Sequence, residues 1–200
     1  MSIWLALVFF FSGVAALIYQ VVWQRVLFAV YGLDIISVTV VVTAFMLGLG
    51  VGSLTGGAIS RRFPHATVPL FGAFEICIGL YGYKSLNLFN LAANATHGLG
   101  HTATGMVVFA LVLFPTTLMG ATLPMLVGYR ASRSGNVGRS VGTLYFVNTL
   151  GAAAGACIAV ESLLGRFGAS GSVAVSAALN VGLGLVVMAA GLATRARSAR

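Results

Sequence analysis

Charge is almost missing from the long runs of this sequence. Six stretches, roughly 3–23, 36–59, 68–89, 104–128, 140–164 and 170–193, are dominated by apolar residues, and nearly all basic residues fall in the connections between them. In lipid no water is available to the backbone, so segments of this kind must satisfy their own N–H and C=O groups, as helices do. The expected fold class is all-α: a polytopic membrane protein of about six transmembrane helices. Residues 1–194 would form a single six-helix transmembrane domain and 195–200 a short basic cytoplasmic tail.

Composition supports this. Only 7% of residues are charged and 59% are hydrophobic, whereas in a soluble domain about a quarter are charged. No basic and aromatic interleaving points to nucleic acid. Nothing basic precedes the apolar run that begins at Ile3, which argues for a retained first span rather than a cleaved signal. Cys77 and Cys157 fall inside apolar runs without a CxxC motif and read as small buried residues.

Eight of the eleven basic residues share one side: Arg61, Arg62, Arg130, Arg133, Arg139, Arg195, Arg197 and Arg200, against Arg25, Lys84 and Arg166. The positive-inside rule makes that side cytoplasmic, with both termini inside and the cytoplasmic (inner) membrane as the location. Trp4 and Tyr129 would then belong to the inner aromatic belt, and Trp23, Tyr31, Tyr81 and Tyr83 to the outer one. A net charge of +8 suits anionic headgroups, so the lipid bilayer is the first expected partner.

The run LVLFPTTLMGATLPML (111–126) carries Pro115 and Pro124 inside a span. Each proline frees a carbonyl one turn back, which Thr116, Thr117 and Thr122 could satisfy locally. Such a helix-kink segment lines a cavity or packs on other helices. GLGVGSLTGG places Gly48, Gly52 and Gly56 on one helix face, and Gly151 and Gly155 repeat the device. Small residues four apart allow close helix packing, either within the chain or between subunits.

Only three acids occur. Glu75 lies inside the third span, where a carboxylate must be protonated, paired or wetted. It is either a cation or proton site, or a structural carboxyl bonded to a neighbouring helix. Tyr19, Gln20, Asn148 and Asn180 would also seek partners within spans and could outline one polar substrate-binding cavity with Glu75. Glu161 sits nearer an end, within reach of water or Arg166, and Asp34 reads as a helix cap or a partner of Arg25. His97 and His101 are four apart, but Gly98 and Gly100 weaken the helix they would share and no third ligand is near, so no metal or cofactor is expected. No catalytic constellation is present.

Five ordered segments, FFFSGVAALIYQVVWQRVLFAVYG (9–32), TAFMLGLGVGSLTGGAISRR (43–62), FEICIGLYG (74–82), FPTTLMGATLPML (114–126) and GTLYFVNTLGAAAGA (142–156), resemble the membrane region of the fused major-facilitator-like spermidine synthases. The resemblance spans about residues 5–190 and implies one six-helix half of a facilitator-type transporter. In that family a soluble aminopropyltransferase-like domain follows. GGAISRRFPH lies where facilitators carry a glycine and arginine turn, with Ser60 in place of the usual acid. Residues up to Arg200 contain no nucleoside pocket or polyamine-binding aspartates, so the expectation is a module non-catalytic on its own. It would be an accessory or anchoring subunit for a partner protein. The alternatives are a homodimer carrying a polyamine-like organic cation through Glu75, and the membrane component of an aminopropyltransferase system.

Overall fold

A computed structural model describes residues 3–31, 34–98, 100–134 and 136–198, with side chains placed for all of these except 30–31, 34–37, 101, 132–134 and 192–198. Among the described residues every element is helical: α1 (Ile3–Tyr31), α2 (Asp34–Arg62), a 3-10 turn (Pro64–Ala66), α3 (Thr67–Ala95), α4 (His101–Ser134), α5 (Val137–Ile158), a π turn (Ala159–Leu163) and α6 (Leu164–Ser198). Among the described residues five helical stretches are long and apolar enough to cross a membrane; the last, Val137–Gly191, runs for 55 residues. The expected roles of Tyr31, Asp34 and Arg133, and of the tail arginines Arg195, Arg197 and Arg200, lie outside the described side chains.

Missing side chains set the helix register. A Cβ at Gly48 would collide with Thr116, one at Gly52 with the Thr117 carbonyl, one at Gly56 with Ala121, and one at Gly128 with the Ser60 hydroxyl. Residue numbers rise together along this seam, so α2 and α4 run parallel at backbone contact. The glycine face proposed for packing is therefore used inside the chain. The second face behaves likewise, since Gly151 abuts the Phe10 carbonyl and Gly155 that of Val14, which sets α5 parallel to α1.

Cross-helix pairs Ser12–Glu75 and Trp23–Ser85 make α3 parallel to α1 as well. Against α6 the order reverses: Gly72 meets Gly184 and Met188, while Gly79 meets Ala177 and Val181. Since α5 follows the direction of α1 and α3, and α6 opposes α3, the chain turns back between α5 and α6. The π turn and Gly168, at φ 64° and ψ −171°, occupy that place. A positive φ of this kind costs glycine little and other residues considerably more.

Two apolar clusters fill the bundle. The larger surrounds Trp23, which is fully buried rather than part of an outer belt. It stacks on Tyr19 at 5.1 Å, meets Phe89 edge-on at 5.9 Å, and donates its indole N–H to Ser85 Oγ at 2.8 Å. Burying an indole this way requires such an acceptor, and Ser85 supplies it. The smaller cluster gathers Phe9, Phe71, Met125, Leu126 and Leu144. Both cysteines, expected inside, are exposed on the outer surface of the helices.

Helix α4 continues through both prolines. The carbonyl that Pro115 leaves without its N–H is that of Leu111, and Tyr81 of α3 donates to it at 2.6 Å. The local threonines serve other groups: Thr116 reaches Val112 and Leu113, Thr117 reaches Leu113, and Thr122 reaches Met119. Tyr81 is thus a bridge between helices rather than an interfacial anchor.

Candidate functional site

Glu75 is completely buried on the α1-facing side of α3. Its Oε1 accepts a 2.7 Å hydrogen bond from Ser12 Oγ, while Oε2 has no hydrogen-bond partner. One turn before Ser85 in the same seam, the Tyr19 hydroxyl lies against Gly82, also without a partner and within electrostatic range of Glu75. Ser12 and Tyr19, like Glu75 and Gly82, are seven residues apart, two helical turns on one face.

Ser12 has a second neighbour. It lines a cavity of about 250 Å³ enclosed by α1, α2, α4, α5 and α6, with Gln20, Thr122, Asn148 and Asn180 among the polar groups around it. Three of those hydroxyl and amide protons are committed. Ser12 donates to Glu75, Thr122 to the Met119 carbonyl at 2.7 Å, and Asn148 Nδ2 to the Phe9 carbonyl at 3.1 Å. Asn180, on α6, is buried with its Oδ1 unpartnered. The amides of Gln20, Asn148 and Asn180 leave both N–H donors and acceptor lone pairs for the cavity. The lining is mainly apolar with a few polar groups, the Glu75 carboxyl lies behind Ser12, and the volume suits a small solute.

The structure thus brings Gln20, Asn148 and Asn180 to one cavity and sets Glu75 directly behind its Ser12 wall. Tyr19 lies in the adjoining seam rather than at the cavity. Glu161 stands apart, exposed in the π turn. His97 falls in the turn after α3 and His101 opens α4, with Gly98 and Gly100 at positive φ between them, so the two do not share a helix face. Among the described residues no group of three metal-ligating side chains occurs. Sequence reasoning misses Ser12, Ser53 and Thr122 as cavity residues, although Ser12, Ala16 and Gln20 fall one turn apart and form a small and polar stripe.

Fold and composition together define a multi-pass helical membrane protein. Comparison with protein-family models, with curated proteins and with solved structures gave no match for the chain.

Proposed function

We propose that this chain is a six-pass module of the cytoplasmic membrane, non-catalytic on its own, whose cavity binds a small organic cation. The observation that carries this reading is the position of Ser12, which touches both the cavity and the buried Glu75. An ammonium in the cavity would be held by neutral acceptors and feel the carboxylate through Ser12, in surroundings where charge is weakly screened.

Six passes rest on the chain reversal. At 1.5 Å per residue, Val137–Gly191 would extend about 82 Å, nearly three hydrocarbon thicknesses, whereas α5 and α6 folded back at Gly168 each match one. With that reversal, the first residues of α1, α3 and α5 and the last residues of α2, α4 and α6 share one end, the basic one, which supports cytoplasmic termini. The arrangement is also compatible with one half of a facilitator-type transporter, the resemblance noted in the sequence.

A second reading, that the chain works as a subunit with another copy or another protein, is favoured by the rim of the cavity. The lining residues sit near the middle of their helices, and Tyr145 on the rim is 61% exposed. The polar groups of a cavity that opens at mid-membrane depth need covering, because lipid cannot satisfy them. A companion chain would supply that cover. The glycine seams would not attach it, because they are occupied within the chain.

Equilibrium binding of primary alkylammonium ions to the purified chain tests the first reading. Glu75→Gln should weaken binding by about 1.5–3 kcal/mol, or roughly ten- to a hundredfold. Ser12→Ala should weaken it less. Glu75→Gln should keep its thermal unfolding profile close to that of the unchanged chain. Undiminished ammonium binding by a folded Glu75→Gln variant would sink the proposal.

A further inference from the structure

Glu75 is fully buried, yet its two oxygens are treated unequally: Oε1 accepts from Ser12 at 2.7 Å and Oε2 has no hydrogen-bond partner. An ionised carboxylate accepts at both oxygens, and when buried it needs donors or a cation to offset lost hydration. A carboxylic acid divides the roles, since one oxygen accepts while the other carries the proton. One-sided bonding of this kind fits the acid, with Oε1 as its carbonyl and Oε2 as its hydroxyl.

Among the described side chains, no cation faces Glu75 from the elements packed on α3. Lys84 is nine residues further along α3, about 13 Å, half a turn round and exposed. Arg25 of α1 lies about 20 Å beyond Ser12. Tyr81 bonds Leu111 of the oppositely directed α4, which sets Arg130 about 20 Å from the level of Glu75. On α6, where Ala177 meets Gly79 and Met188 meets Gly72, the positions of Arg166 and Arg195 fall about 22 Å to one side of Glu75 and 15 Å to the other. His65 precedes the first residue of α3, itself about 12 Å from Glu75. The titratable neighbours are then Tyr19, whose hydroxyl lies at Gly82 two turns away, and Tyr81, whose hydroxyl is given to Leu111.

We infer that Glu75 is a proton site coupled to the cavity, holding a proton while the cavity is empty and releasing it when an organic cation binds. This rests on the cation-binding reading above. Ser12 joins the two places, because its hydroxyl bonds Glu75 and lines the cavity. As the ammonium enters, the Oε2–H bond breaks, the proton passes to solvent and the carboxylate balances the new charge. One positive charge enters the bundle and one leaves, so its net charge is kept in surroundings that screen charge weakly.

The test uses the full chain in detergent with a primary alkylammonium as probe. Calorimetry in buffers of different ionisation enthalpy counts the protons released, and about one should leave per ammonium bound. A step that releases a proton is favoured by its removal, so affinity should rise up to about tenfold per pH unit while the empty protein holds that proton. Glu75→Gln should release none and lose the pH dependence. In the unchanged chain, the infrared carbonyl band of a protonated carboxyl should fall when the ammonium is added, a readout that stands even if the variant does not fold. Ammonium binding with no proton release and a constant carboxyl band would overturn the inference and leave the cation-binding reading intact, as would a folded Glu75→Gln variant that still releases a proton. Absence of ammonium binding at every pH would overturn both.

Discussion

Tyr81 shows how one side chain can settle the conflict between a proline and a helix. Pro115 leaves the Leu111 carbonyl without its usual N–H, and the Tyr81 hydroxyl takes that place from a neighbouring helix. In surroundings without water an unsatisfied carbonyl costs about 1–3 kcal/mol. Tyr81→Phe should therefore lower the stability of the detergent-solubilised chain by about that amount in a denaturant titration. In a Pro115→Ala background the alanine returns the missing N–H, and the same substitution should then cost far less. Equal losses in both backgrounds would show that Tyr81 contributes packing rather than this bond. Both prolines are visible in the sequence, but local spacing points to Thr116, Thr117 and Thr122 as rescuers. The actual donor is 30 residues away, and only the α3–α4 register could identify it. Ser12 is hidden for the same reason: a serine in an apolar helix carries no signal until the residue opposite it is known.

Helices in this protein are joined by what their glycines omit. The four-residue spacing of Gly48, Gly52 and Gly56 is legible because a helix repeats every 3.6 residues, and so is the seam of Gly151 and Gly155. Which surface each seam meets is not legible, since small faces pack equally well inside a chain or between chains. Gly52 and Gly50 separate packing from mere glycine content. Gly52 faces the α4 backbone, while nothing lies within 4 Å of a Cβ at Gly50. Gly52→Leu should cost at least about 2 kcal/mol or abolish the folded monodisperse species in size-exclusion chromatography. Gly50→Leu should be tolerated. The cysteines are misplaced by sequence reasoning for a related reason. An apolar run in a membrane helix does not by itself tell an inward residue from a lipid-facing one, so Cys77 and Cys157 read as buried although they face outward.

The whole molecule depends on the direction of each helix. The class of fold and the approximate helix positions follow from hydropathy and helix length, which sense burial in lipid well. The turn after α5, from Ala159 to Gly168, contains the gap between the apolar stretches 140–164 and 170–193, but the direction of α6 depends on its contacts with α3. Six passes predict that a cysteine at Gly165, in a chain lacking Cys77 and Cys157, reacts with a membrane-impermeant maleimide from the side opposite the termini. Trp23 misleads at this scale, reading as an outer-belt residue, because tryptophans favour interfaces and its burial depends on contacts from other helices. The cavity is only half legible: Glu75 stands out as an acid in a span, whereas its link to Gln20, Asn148 and Asn180 depends on the way the helices assemble. The central claim is that a cation occupies that assembled cavity, and a reporter placed inside it tests this most directly. In a Cys77→Ser, Cys157→Ser background, Ala16→Cys puts a thiol on the cavity wall one turn from Ser12, and its alkylation rate is measured with and without a primary alkylammonium. The account predicts that the ammonium slows alkylation, that the matching neutral alcohol does not, and that Glu75→Gln removes the protection. Alkylation at one rate under all these conditions would contradict it.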